Sequence, residues 1–209
     1  MKKLLITLLA LLGLTEAAAA DGPKSWTGVY AGLHGGYDTG NIAITAGPFG
    51  IDGLSANGFA YGLHAGADYQ FAGTPIVVGV IGDYTWSNAK FTVSPGILSA
   101  GIDTQWAIGA RAGVAMGIAL PYVLVTYTEA DAKASLLGTG VTQTLKGWQF
   151  GGGVELALTP NVSVAAEYRY TAFRDVDLGG FAKLEPENHS VMGRLNVRLG
   201  ATEVAAPLK

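Results

Sequence analysis

The chain has 209 residues, a formal net charge of -3 and no cysteine, and only 14% of its residues are charged. The lack of cysteine excludes a disulfide framework and thiolate chemistry, and the mildly acidic charge disfavours nucleic-acid binding. Mean hydropathy is positive at +0.32. Beyond the first twenty residues, however, no apolar run approaches the roughly 20 residues that a membrane helix needs. The apolar surplus therefore lies in many short segments.

The first twenty residues have the pattern of a secretory signal peptide. Lys2 and Lys3 form a basic start, residues 4–14 are apolar, and alanines occupy positions 17–20. This pattern predicts Sec-type export with cleavage after Ala20. We divide the rest of the chain into one domain over residues 21–200 and a short periplasmic tail over residues 201–209.

Apolar and small or polar residues alternate along eight segments of the mature chain. A period of two is typical of a strand with two different faces. The predicted strands are residues 26–37, 59–71, 76–86, 104–116, 122–128, 147–158, 162–173 and 189–200.

The connections between these strands alternate strictly between long and short. Each short one carries a proline together with glycine or asparagine, at 73–75, 117–121 and 159–161, and these are turn residues. Membrane barrels keep tight turns on the periplasmic side and long loops outside. The sequence therefore predicts an all-β protein: an eight-stranded antiparallel transmembrane β-barrel with short periplasmic turns and long extracellular loops, in the outer membrane of a Gram-negative bacterium.

One face of the predicted strands carries equal numbers of acids and arginines. A buried charge is costly unless it is paired, and eight strands enclose a space that side chains can fill. We therefore predict an ion-pair network that plugs the lumen, with a charged constriction of a small channel as the alternative. Its members are Asp68, Asp83, Arg111, Glu155, Glu167, Arg169, Arg194 and Arg198.

Aromatic residues lie mostly near the strand ends. Amphipathic rings are favoured at the level of the lipid headgroups, so these residues predict two aromatic girdles. The predicted girdle residues are Trp26, Tyr69, Phe71, Tyr84, Trp86, Trp106, Trp148, Tyr168 and Tyr170.

Several strands resemble those of the small outer-membrane β-barrel family of porin-like, often immunogenic, proteobacterial proteins. The similar segments are 26–37, 62–71, Trp106 to Gly113 with Arg111, 121–122 and 167–170. The resemblance implies a barrel similar to the transmembrane domain of outer-membrane protein A, in a family that serves variously as envelope structure, adhesins, immune targets or ligand binders. Two features depart from the family pattern: Ile81 replaces a common acid, and the last strand is followed by residues 201–209 instead of a terminal aromatic.

The three histidines do not point to an enzyme. Acyl-transfer chemistry needs a serine activated by a histidine, but His189 and Ser190 are adjacent and so face opposite ways. His34 and His64 face the lumen, where two ligands are few for haem or a metal. We interpret them as interior hydrogen-bonding residues and predict no cofactor and no metal site.

The sequence favours an integral outer-membrane protein with an envelope-structural and surface-interaction role. The alternatives are a narrow porin for small solutes, a surface binder of haem or a host ligand, and, for the fold, a soluble lipocalin-like barrel. Expected partners are outer-membrane lipid and lipopolysaccharide, the barrel-assembly machinery, and a host or small-molecule ligand at the loops. We expect a monomer that binds no nucleic acid.

Overall fold

A computed structural model describes residues 25–46, 49–88, 90–94, 98–136, 139–174, 176–177 and 183–199. The predicted signal peptide and the predicted periplasmic tail lie outside these residues. Among the described residues there is no helix of the length and hydropathy needed to cross a membrane.

The described residues form ten strand segments in one antiparallel sheet. The sheet closes on itself because β1 pairs with both β2 and β10. The short β4 and β9 lie in line with β3 and β8, so the barrel wall has eight strands, as predicted. The segments are β1 (Gly28–Ala46), β2 (Phe49–Gln70), β3 (Ile76–Ser87), β4 (Lys90–Ser94), β5 (Leu98–Val114), β6 (Ala119–Leu136), β7 (Thr139–Ala157), β8 (Val162–Phe173), β9 (Val176–Asp177) and β10 (Lys183–Leu199).

The predicted long loops are largely β-hairpins. β1 and β2 stay paired out to Ala46 and Phe49, and β6 and β7 out to Leu136 and Thr139. Backbone groups beyond the membrane still need hydrogen-bond partners, and the neighbouring strand supplies them. The predicted strands end early because alternation needs one buried face, and residues 131–133 and 142–146 of the β6–β7 extension contain no buried side chain.

At the other end of the barrel the connections are tight turns. Gly73 and Gly117 adopt positive φ values of 72° and 63° in two of them, a conformation that glycine tolerates without strain. The alternation of long hairpins with tight turns confirms the predicted topology.

Side chains alternate between the lumen and the outer surface, as expected for strands. In β8, Ser163, Ala165, Glu167, Arg169 and Thr171 are all buried inside the barrel. The outer face exposes apolar residues on every wall strand; they include Leu33, Leu63, Val80, Ile108, Val123, Phe150, Tyr168 and Leu199. An apolar outer face around a polar lumen is the arrangement of a membrane barrel.

An apolar cluster of Trp26, Val77 and Leu120 is buried inside the barrel at the turn end. Trp26 is fully buried, so its assignment to the aromatic girdle was wrong. The reason is its place in the alternation: Trp26 lies two residues before β1 and continues the inward-facing series of Tyr30 and His34. Its position near a strand end suggested a girdle, whereas the alternation correctly indicates the lumen.

Candidate functional site

The charged lumen is the most distinctive site of the protein. All eight predicted acids and arginines point inward, and each side chain is no more than 3% exposed. The structure divides them into two groups of four. In each group two arginines alternate with two acids, so each group has no net charge.

The turn-side quartet comprises Asp68, Arg111, Glu155 and Arg198. Arg111 donates from Nε to Asp68 Oδ1 at 2.8 Å and also pairs through Nη2 with Asp68 Oδ2, while its Nη1 lies 3.0 Å from Glu155 Oε2. Arg198 Nη2 lies 2.8 Å from Asp68 Oδ2 and 3.5 Å from Glu155 Oε1. Each arginine therefore contacts both acids of the quartet.

The hairpin-side quartet comprises Asp83, Glu167, Arg169 and Arg194. Arg169 contacts Asp83 Oδ2 at 2.9 Å and Glu167 Oε1 at 2.7 Å. Arg194 contacts Asp83 Oδ1 at 2.8 Å and Glu167 Oε1 at 3.0 Å. The pattern of the first quartet is thus repeated, and the three strands that contribute to it, β3, β8 and β10, are tied together across the lumen.

Two tyrosines that the sequence analysis did not single out complete the network. The guanidinium of Arg111 lies 4.6 Å from the ring centroid of Tyr30, and that of Arg198 lies 5.0 Å from the same centroid. Tyr122 donates from its hydroxyl to Glu167 Oε2 at 2.6 Å. Both tyrosines fall on the inward face by alternation, so the sequence contained a signal for them.

The outward aromatics form a band on the hairpin side of the barrel. Neighbouring rings approach closely, as in Trp106–Tyr127 at 5.9 Å and Tyr127–Trp148 at 5.7 Å between centroids. The predicted residues Tyr69, Tyr84, Trp86, Trp106, Trp148 and Tyr168 are exposed on the outer face, and Tyr170 is half-buried there beside His189. The same band contains four aromatic residues that were not predicted: Tyr37, Phe59, Tyr61 and Tyr127.

The turn side carries fewer aromatics than predicted. Only Tyr69 and Phe71 among the described outward residues there are aromatic, and their rings meet edge to face at 5.3 Å. The remaining turn-side outward residues include Met116, Ile118 and Leu158. The described residues therefore form one aromatic girdle, with an aliphatic rim at the opposite end.

The histidines take the positions expected from alternation. Ser190 is buried and donates to Asp38 Oδ1 at 2.6 Å, while the ring of His189 lies outside and contacts the hydroxyl of Tyr168 at 2.7 Å. The pair therefore cannot act as nucleophile and base. His34 and His64 are buried in the lumen, with their Nδ1 atoms 3.3 Å apart.

Comparison with known proteins agrees with this geometry. The family model described as "Outer membrane protein beta-barrel domain" matches residues 6–198. The 25 kDa outer-membrane immunogenic protein of Brucella abortus is 31% identical over 162 residues, covering 75% of this chain and 70% of the relative. The 31 kDa outer-membrane immunogenic protein of Brucella melitensis is 27% identical over 244 aligned positions, covering 96% of this chain and 98% of the relative.

Among solved structures, Neisserial surface protein A is similar with a TM-score of 0.47 and 21% identity, over 80% of this chain and 97% of that one. The closed barrel with an apolar outer face, the family model and the two Brucella relatives define an integral protein of the Gram-negative outer membrane. This chain belongs to the outer-membrane protein β-barrel domain family.

Proposed function

We propose that this protein is a non-conducting barrel that serves the outer membrane as a structural component and presents its long hairpins as an interaction surface. The observation that carries the proposal is the pair of neutral quartets across the lumen. A solute that passed through would have to break buried charge pairs, and removing one partner of such a pair is strongly unfavourable.

The lumen is also filled on either side of the quartets. Trp26, Val77 and Leu120 pack below the turn-side quartet. On the other side, Gln149 accepts from Thr126 and donates to Thr171, and Gln105 donates to Thr128. A cavity of about 10 Å³ lies among these polar residues, room for about one water molecule. This packing supports a closed barrel over the alternative of a narrow porin.

The hairpins supply the surface for interaction. β6 and β7 continue past the aromatic girdle with exposed charged residues, including Lys133 and Lys146. Lys133 pairs with Asp103 at 2.6 Å and Lys146 with Glu129 at 3.1 Å. These pairs are solvent-exposed and contribute little to stability, so their side chains are free to exchange partners.

Two measurements test the proposal. Proteoliposomes containing the refolded protein should not swell in solutions of small sugars, whereas swelling at the rate of a general porin would favour the porin alternative. Trypsin added to intact cells should cleave after Lys133 or Lys146, because the proposal places these residues outside the cell. Cleavage only after the cells are broken would contradict that placement.

A further inference from the structure

The two buried histidines, which the ion-pair network does not use, form a cluster with Asp83, an acid of the hairpin-side quartet. The nearest ligand atoms of His34, His64 and Asp83 all lie within 4.8 Å of one another, and all three residues are buried. Asp83 is opposite His64 in the register of β2 and β3. We propose that this cluster is a transition-metal site that binds Zn²⁺ within the lumen.

The spacing of the two imidazoles fits a shared metal. Their Nδ1 atoms are 3.3 Å apart. Two nitrogens bound to one tetrahedral Zn²⁺ at about 2.0–2.1 Å lie about 3.3–3.4 Å from each other. The rings therefore need little movement to hold an ion, with an Asp83 oxygen as the third ligand. Without metal, the same distance suits a hydrogen bond from one Nδ1–H to the other Nδ1.

The outer nitrogens of both rings have partners suited to metal binding. His64 Nε2 lies 2.5 Å from Asn196 Oδ1, an oxygen that only accepts, so the proton of His64 is on Nε2 and its Nδ1 lone pair is free. His34 Nε2 lies 2.9 Å from Thr85 Oγ1, a hydroxyl that accepts as well as donates. Metal-binding histidines usually donate their other N–H to such a group, which fixes the ring.

The backbone makes room for these rings in a reciprocal pattern. Gly62 is opposite His34 and Gly32 is opposite His64 in the β1–β2 register. A Cβ at Gly62 would lie 2.6 Å from His34 Nε2, and one at Gly32 would lie 2.8 Å from His64 Nε2. The two glycines thus allow both imidazoles to lie flat against the wall, with their Nδ1 atoms facing each other.

The charges around the cluster select the kind of metal. Arg169 and Arg194 pair with Asp83 and offset its negative charge. Ca²⁺ and Mg²⁺ need several oxygen ligands, and the cluster offers one carboxylate, so these ions are disfavoured. Imidazole nitrogen suits Zn²⁺. The cavity of about 10 Å³ lies against Asp83, the carboxylate of the cluster, and has room for about one water molecule.

The test is Zn²⁺ titration of the untagged, refolded protein in detergent by calorimetry. We expect one ion per barrel. His34→Gln and His64→Gln should each remove measurable binding, and Asn196→Leu should weaken it by about 10–100-fold, the usual effect of losing a group that orients a ligand. The matched control is His189→Gln, which removes the remaining histidine of the chain and should leave the affinity unchanged.

A second measurement needs no variant, in case a histidine substitution prevents folding. Co²⁺ added to the wild-type protein should give the intense visible absorption of a tetrahedral nitrogen–oxygen site, and Zn²⁺ should abolish it. If the folded wild-type protein shows neither a heat of Zn²⁺ binding nor Co²⁺ absorption, the proposal is overturned. Binding lost in the His189 variant but kept in the His34 and His64 variants would overturn it equally.

Discussion

Arg111 holds both carboxylate oxygens of Asp68, through Nε at 2.8 Å and through Nη2, while its third nitrogen reaches Glu155 at 3.0 Å. Such a bidentate pair is geometrically specific as well as strong. It joins β5 to β2 and β7 across the lumen, so one side chain connects three parts of the barrel wall. The stability and the closure of the barrel should therefore depend on the same residue.

Loss of this pair should destabilise the folded barrel. Asp68→Asn leaves Arg111 and Arg198 short of a negative charge in a buried site, and breaking a buried pair costs about 3–5 kcal/mol. The measurement is urea unfolding of the protein in lipid vesicles. The matched control is Asp103→Asn, which breaks the exposed pair with Lys133 and should cost no more than about 1 kcal/mol. Equal losses in the two variants would contradict the account.

The space around Gly62 is so tight that adding a methyl group there should destabilise the folded barrel. A Cβ at this position would meet the backbone oxygen of Tyr84 as well as His34 Nε2, so we expect Gly62→Ala to cost about 1–3 kcal/mol, as overpacking does. At Gly35, a Cβ would lie 3.8 Å from the oxygen of Ala60, and Gly35→Ala should be tolerated. Heat-modifiable mobility on gels reports folding of both variants. A stable Gly62→Ala barrel would contradict the packing described here.

Fluorescence quenching by labelled lipids can show which of the four tryptophans face the membrane. In single-tryptophan variants, brominated phospholipids should quench Trp86, Trp106 and Trp148, which are exposed on the outer face. Trp26 should be protected because it lies inside the barrel, with the guanidinium of Arg198 5.7 Å from its ring. Strong quenching of Trp26 would contradict its position inside the barrel and support the original girdle prediction.

Much of this arrangement could be predicted from the sequence, and the failures have physical causes. Alternation identified the inward face, so all eight predicted acids and arginines lie in the lumen, although buried Asp38 was not predicted. It could not divide them into quartets, because partnership depends on the shear of the barrel and on which strands face each other. Asp83 near His34 and His64 is a similar case: the contact joins three strands through a register that local sequence does not encode.

The girdle prediction failed where it used the distance of a residue from the strand end and ignored whether the side chain points inward or outward. Trp26 was placed in the girdle because it is near a strand end, although it alternates in step with Tyr30 and His34, which point inward. The β6–β7 extension was missed because none of the side chains at 131–133 and 142–146 is buried, so apolar and polar residues do not alternate there.

Glu129, at the edge of the girdle, should titrate with a lowered pKa. Tyr127 donates a hydrogen bond from its hydroxyl to Glu129 at 2.9 Å, and this bond, followed by the contact with Lys146, holds the pKa of Glu129 below its usual value. The bond stabilises the fold above the unfolded pKa of the acid, and this contribution is lost as pH falls through the lowered folded value. Tyr127→Phe should raise the pKa of Glu129 in an NMR titration, whereas Tyr61→Phe should leave it unchanged.

Closure of the lumen is the central claim, and single-channel recording in a planar lipid bilayer tests it most directly. The wild-type protein should be silent, because two neutral quartets and an apolar cluster fill the interior. Arg111→Ala should open discrete conductance steps, since it removes the side chain that ties Asp68 to Glu155. Reproducible steps from the wild type, unchanged in the variant, would contradict a plugged barrel and make a small pore the better account.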